Sequence, residues 1–378
     1  MNSQVLFAAS LRLRLVFLAV LMAGVSGCQH TNTAPPIPIT TVMQTIREYG
    51  RTGKLATVSK SESTEPERHS QLYDLEETYQ AHIKSLLAQE DFVSLEAEVH
   101  DARLRQTRVQ GGVWKLYLFY EAVGSPPSTQ ASDSDWQGDL AELQNWIKAR
   151  PNSAAARIAL AVAYVNYAGE ARGAGYANTI SKQSWARFYE RTHLAKAALI
   201  DAAKVDEKCP FWYEVMQIVA TSEGWDKQQT RELFDNATAF APNYYHFYRE
   251  YANYLLPKWY GEEGEMQRFA EEASAHLPDP SGSIVYFELG SMLACQCDDA
   301  RNSLDQMSWP RIKQGYQALV SVYGTSKLKA NRFAYMSYLA NDKTAAREAF
   351  SQLGDDWEQT VWQGAADYQV AKKWASGE

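Results

Sequence analysis

From residue 72 to residue 353 one pattern recurs: a short stretch with apolar side chains at helical spacing, then a tight break. Such stretches cover 72–89, 92–108, 114–123, 136–149, 154–169, 183–204, 211–222, 227–240, 244–256, 265–276, 284–295, 309–323, 330–340 and 344–353. None alternates apolar and polar residues with the period of two that a half-buried strand requires. Helices this short, joined this tightly, cannot form one long four-helix bundle and instead predict an all-α fold of stacked hairpins. The Ser/Pro/Asp-rich stretch 124–135 is the one extended interruption early in the series.

Repeat spacing refines that expectation. Phe234, Ala237 and Pro242 have the spacing at the end of a tetratricopeptide second helix, where Phe and Ala meet the partner helix and Pro stops the chain. Leu143, Trp146 and Pro151 fit the same frame with bulkier residues, and Ala346 and Phe350, with Ala334 one helix earlier, fit part of it. The register from Pro151 to Pro210 is too long for one repeat. The fold class expected is therefore a degenerate tetratricopeptide-like α-solenoid of stacked helical hairpins. The segment 154–169 is apolar nearly all round and should be buried on most sides. Tyr244, Phe247, Tyr248, Tyr251 and Leu255 make one stripe, and large aromatic areas of this kind close helix interfaces.

Several short motifs stand in a fixed order. They are Ala171-Arg172-Gly173-Ala174-Gly175-Tyr176-Ala177, Phe211-Trp212-Tyr213 leading to Ala220 and Gly224-Trp225-Asp226, and Leu233-Phe234. After them come Pro242 with Tyr244, Tyr245 and Tyr248, then Tyr254-Leu255-Leu256-Pro257-Lys258-Trp259 with Gly261, and finally Asn331-Arg332-Phe333-Ala334 and Ala345-Ala346-Arg347. Together they resemble the bacterial family known as domain of unknown function 4034 (DUF4034), over residues 90–365. That resemblance implies a helical, repeat-like fold and no particular chemistry.

The amino-terminal part is of another kind. Arg12 and Arg14 precede an apolar run from Leu15 to Val25, the length of a signal-peptide core and too short to span a bilayer. The run closes on Val25-Ser26-Gly27-Cys28, which is similar to a bacterial lipobox. Residues 1–27 are thus expected to be a lipoprotein signal peptide and Cys28 the acylated residue that holds the protein on the membrane. Residue 29 is Gln rather than Asp, which favours the outer membrane, facing the periplasm, within the cell envelope. Residues 28–69, poor in large apolar side chains and containing Pro35, Pro36 and Pro38, read as a lipid-anchored flexible tether with one short helix near 41–49. The helical-repeat domain then fills 70–378.

Removing Arg12 and Arg14 leaves 35 basic against 45 acidic side chains, a net charge of −10. That balance, without any basic run, excludes nucleic acid as the main partner. Cys295 and Cys297 could suggest a metal, but two thiolates leave a tetrahedral site half filled and no histidine pair has ligand spacing, so no metal and no cofactor are expected. Whether Cys209, Cys295 and Cys297 form a disulfide is open.

No HExxH, GxSxG or phosphate-loop pattern is present. Adjacent acids such as Glu76-Glu77, Glu262-Glu263 and Glu271-Glu272 suit solvated helix faces better than general acid/base work. The sequence leans away from an enzyme and towards a membrane-tethered periplasmic protein that binds a protein or peptide. A cell-envelope enzyme acting on glycan or peptide is the alternative. Two segments break the hairpin pattern and supply the ligand-binding candidates: Arg172, Gly173, Gly175 and Tyr176 in one, Lys258 and Trp259 in the other. For the first, the competing reading is a plain helix end, with Gly173 as the cap and Arg172 on the last carbonyls. Pro257 stops its helix, which leaves Lys258 and Trp259 able to turn outward.

Overall fold

The computed structural model describes residues 36–52, 74–128, 131–175, 177–296 and 300–377. The signal-peptide segment, Cys28, Tyr176 and Cys297 lie outside the described residues. Within them the chain forms seventeen α-helices and no strand, and about 75% of it is helical. One isolated antiparallel bridge joins Arg108 to Trp114. None of the described helices is long and apolar enough to cross a membrane. The all-α expectation holds, and each helical stretch read from the sequence is a helix.

The chain divides into two compact units. Among the described residues the first comprises 36–52, Tyr79–Gln106 and Lys115–Gly261, and it is built of two layers. Helices α3 (Phe92–Arg105), α5 (Asp133–Ala149), α7 (Lys182–Ala202) and α9 (Lys227–Phe240) alternate with α4 (Lys115–Gly124), α6 (Ala154–Arg172), α8 (Pro210–Glu223) and α10 (His246–Tyr254). Each helix of the first set packs on the one that follows it. Helices α4, α6, α8 and α10 also pack successively on one another, so they form a continuous layer of parallel neighbours. This is the hairpin stacking of a helical-repeat fold.

Local sequence explains the boundaries. Ser132 and Asp135 form a capping box at the start of α5, and Asp226 and Gln229 form another at α9. Ser153 and Ser181 cap α6 and α7 by accepting from the N–H three residues on. Pro210 opens α8 at the first helical position, where its missing N–H costs nothing. The repeat spacing is borne out at its contacts. Phe234 is buried and stacks on Tyr251 of the next helix at 4.7 Å, Ala237 is fully buried, and the helix ends at Phe240 before Pro242. Trp146 is fully buried and donates to Glu96 at 2.9 Å. Helix α6 touches α4, α5, α7 and α8, as its all-round apolar character requires.

The tether expectation needs correction over part of its length. Residues Ile39–Thr52 form helix α1, longer than the short helix expected there, and it is not free. Val42, Ile46 and Tyr49 are buried, and α1 packs on α9. Tyr49 stacks on Trp212 at 4.2 Å, and its hydroxyl accepts from the Cys209 N–H at 2.8 Å while donating to the Cys209 carbonyl at 3.2 Å. Arg47 pairs with Glu232 through both carboxylate oxygens. A stripe of three apolar residues on one face is enough to dock a helix of this length.

Among the described residues the second unit comprises 74–78, Thr107–Trp114, 262–296 and 300–377. It stacks α11 (Glu265–His276) on α12 (Ser281–Gln296), α12 on α14 (Trp309–Tyr323), α15 (Lys327–Leu339) on α16 (Lys343–Leu353) and α16 on α17 (Ala365–Ser376). The short α13 (Ala300–Asp305) lies against α12 and α15. Glu288 and Lys329 form a buried ion pair between α12 and α15. Helices α13 and α17 have no counterpart in the sequence reading. The buried stripe of α17 is Tyr368, Ala371 and Ala375, too small a set of side chains to register as hydrophobic periodicity.

Candidate functional site

The first candidate segment is a helix end. Gly173 closes α6 with φ 70° and ψ −178°, a conformation open only to glycine, and its N–H donates to the Gly169 carbonyl. Gly175 is exposed, and its φ is not positive. Arg172 is buried, 3% exposed. Its guanidinium donates to the Gly173 carbonyl at 2.8 Å and lies over the Trp185 ring at 5.4 Å. Burial lowers its pKa, partly offset by Tyr189. Arg172 therefore holds the loop in place rather than offering its charge to solvent. Tyr176 lies outside the described residues.

The second segment is a compact turn after α10. The N–H groups of Trp259 and Gly261 both donate to the Leu256 carbonyl, at 2.8 and 3.3 Å. A Cβ at residue 261 would overlap the Leu255 backbone, so the turn admits only glycine there. Pro257 is exposed, while Lys258 and Trp259 are partly buried.

The two segments meet through aromatic packing. Trp185 and Trp259, both partly buried, pack against the same buried pair, Ala168 and Phe188. Trp185 stacks on Tyr189 at 5.7 Å, and Tyr189 is 36% exposed. Arg172 and Trp259 thus belong to one half-exposed aromatic patch where α6 ends and α7 begins, with the glycine loop beside it. The loop residues 171–175 include no carboxylate, imidazole, hydroxyl or thiol, so they supply no general acid, base or nucleophile.

A second constellation escaped the sequence reading. Glu214 of α8 is 3% exposed, and its Oε2 accepts from the Tyr244 hydroxyl at 2.6 Å. His246 Nδ1 stands 3.4 Å from the other carboxyl oxygen, and the His246 ring lies 4.0 Å from that of Tyr117 on α4. Burial pushes the Glu214 carboxyl up to about 8, against the opposing influence of the Tyr244 hydrogen bond and Arg249. Glu250 on α10 is also pushed up to about 8, by burial and by Glu214. The Tyr117 phenol is raised by burial and by Glu121, Glu214 and Glu250. A signal for this group was present: Glu214 and Gln217 are the only polar residues within the apolar run 211–219, one turn apart on one helix face.

Cys209 is a buried free thiol, 3.5 Å from the Tyr120 hydroxyl, and burial pushes it up to about 11. Cys295 is also free and partly buried. Among the described residues no three His, Cys, Asp or Glu side chains are grouped closely enough to hold a metal ion. Comparisons with protein-family models, with curated proteins and with solved structures find no match.

Proposed function

We propose that this chain is a lipid-anchored envelope protein, facing the periplasm, that binds a protein or peptide partner through the aromatic patch of its first unit. The observation that carries this reading is the convergence of Trp185 and Trp259 on Phe188, with Tyr189 exposed beside them. Trp and Tyr dominate binding energies because each joins a large apolar area to a polar handle, at a small cost in side-chain entropy. Arg172 keeps Trp185 and the glycine loop in position, and Lys258 is the neighbour of Trp259 in the turn. Stacked helical hairpins present such patches on a rigid support. The reading includes membership of the DUF4034 family, on the order of the motifs quoted above.

Binding fits the patch better than catalysis does, because residues 171–175 and the aromatic side chains Trp185 and Trp259 offer apolar area and no carboxylate, imidazole or thiol. The test is photo-crosslinking in cells, with a crosslinking residue placed at 259, at 189 and, as control, at 93 on the exposed side of α3. The same partner should be caught from 259 and 189 and not from 93, where Val93 is 64% exposed. Lys258→Ala should weaken that capture while leaving the melting temperature within a few degrees. Equal capture from all three positions, or none from 259 and 189, would exclude the patch.

A further inference from the structure

We propose that the cleft where α11, α12 and α14 meet is a binding site for a neutral, hydroxyl-rich ligand, a sugar ring. The cleft belongs to the second unit alone and does not depend on the patch at Trp259.

Its volume is about 310 Å³, at the lower end of the range for small-molecule sites, roughly 300–1,000 Å³. Ser274 comes from α11, Asp279 from the connection after it, Ser283 and Tyr286 from α12, and Arg311 and Gln314 from α14. The walls are fixed. A Cβ at Gly282 would stand 2.4 Å from the Ser274 carbonyl oxygen, and one at Gly315 would stand 2.1 Å from the Ser283 carbonyl oxygen. Backbone therefore meets backbone where α12 touches each of its neighbours. Pro278 and Pro280 restrict the chain on either side of Asp279.

The polar side chains are held as well. Arg311 pairs with Glu271 of α11, donates to the Ser274 hydroxyl at 3.0 Å and lies over the Tyr286 ring at 4.1 Å. Tyr286 is 1% exposed; its hydroxyl donates to Glu271 at 2.6 Å and accepts from the Ser308 N–H at 2.9 Å. The Ser283 hydroxyl donates to one Asp279 oxygen at 2.8 Å. Side chains held in this way lose little freedom when a ligand arrives. Hydrogen-bonding capacity is left over in the same place. The second Asp279 oxygen, the Ser274 hydroxyl proton, the remaining Arg311 N–H groups and the Gln314 amide have no partner among the described residues.

These groups set the class of ligand. The lining is mostly polar and Arg311 covers the Tyr286 ring, so the cleft offers little to an apolar anchor. An anion would meet Asp279, and the Arg311 charge is already met by Glu271. A cation would meet the guanidinium. Among the described residues no three side chains group as a metal site. A sugar brings no charge, and each of its hydroxyls both donates and accepts. Neighbouring hydroxyls on a ring suit the paired polar atoms of carboxylate, amide and guanidinium groups. One ring can thus accept from Arg311 and Gln314 while donating to Asp279.

The experiment is saturation-transfer difference NMR on the full chain. The probes are glucose and N-acetylglucosamine as free sugars, cellotriose and chitotriose as chain fragments, and cyclohexanol as a ring with a single hydroxyl. The expected result is transfer to at least one saccharide and none to cyclohexanol. Transfer to a monosaccharide would point to a free sugar, and transfer to the trisaccharides alone to a glycan chain. Gln314→Ala removes an exposed side chain without a protein partner, and Asp279→Asn keeps an acceptor for Ser283. Each should weaken the affinity at least fivefold and leave the melting temperature within a few degrees. No transfer to any saccharide, equal transfer to cyclohexanol, or unchanged affinity in both variants would overturn the proposal.

Discussion

Glu214 shows how one residue's surroundings become a property of the protein. An ordinary Glu titrates near 4.3 when unfolded, whereas in the fold this one is pushed up to about 8. Between those values the unfolded chain has lost the proton that the native state keeps. The native state is therefore favoured at low pH, and its stability falls as pH rises through the window. Glu250 acts in the same direction. Thermal melts from pH 5 to pH 8.5 should show a declining melting temperature, and Glu214→Gln should flatten the decline. A slope unchanged in the variant would assign it to other groups. Cys209 yields a second expectation at this scale. Buried to 2% exposure and raised to about 11, it should resist alkylation in the native protein and react only on unfolding. Mass spectrometry after a brief iodoacetamide pulse reads this directly, and rapid labelling of Cys209 in folded protein would contradict it. The sequence reading weighed adjacent acids such as Glu76-Glu77, because pairs are visible in a line of text. It passed over the isolated acid in an apolar helix, where the cost of burial gives the better clue. Of its two readings of Arg172, ligand contact and helix end, the second is the one that agrees with the side chain's turn back onto the Gly173 carbonyl and Trp185.

At the scale of elements, most of the fold was legible because hydrophobic spacing, capping residues and prolines agree with one another. Ser153, Ser181 and Asp226 all stand where a helix start was expected and all accept the capping hydrogen bond. Helix α17 was not legible, since Tyr368 is the one large side chain among its three buried residues and the other two are alanines. Close approach of helices was not legible either. In the second unit, a Cβ at Gly315 of α14 would overlap the Ser283 carbonyl of α12 and come 2.8 Å from the Phe287 Cβ. Backbone cannot yield as a flexible side chain does, so the two helices must separate. Overpacking of this kind costs about 1–3 kcal/mol or more, and Gly315→Ala should lower stability by at least that much in chemical denaturation. A neutral substitution would mean that α12 and α14 lie further apart than described. By contrast, Gly138 meets nothing within 4 Å, so Gly138→Ala in α5 serves as the control and should be neutral or slightly stabilising.

At the scale of the whole molecule, two compact units share a chain whose amino-terminal part is expected to carry a lipid on Cys28. Acylation with two or more chains holds a protein on a membrane, because each buried methylene contributes roughly 0.8 kcal/mol. Cys28→Ser should therefore leave the protein unlabelled by a fatty-acid analogue and absent from the membrane fraction; label retained in that variant would place the acyl group elsewhere. The docking of α1 then acquires a mechanical meaning. With α1 seated, only residues 29–38 separate the lipid from the first turn of the fold, and ten residues reach at most about 35 Å at full extension. On the proposed anchoring, the Tyr49 contact with Trp212 and Cys209 is a latch that keeps this leash short, and breaking it would let the first unit stand further from the bilayer surface.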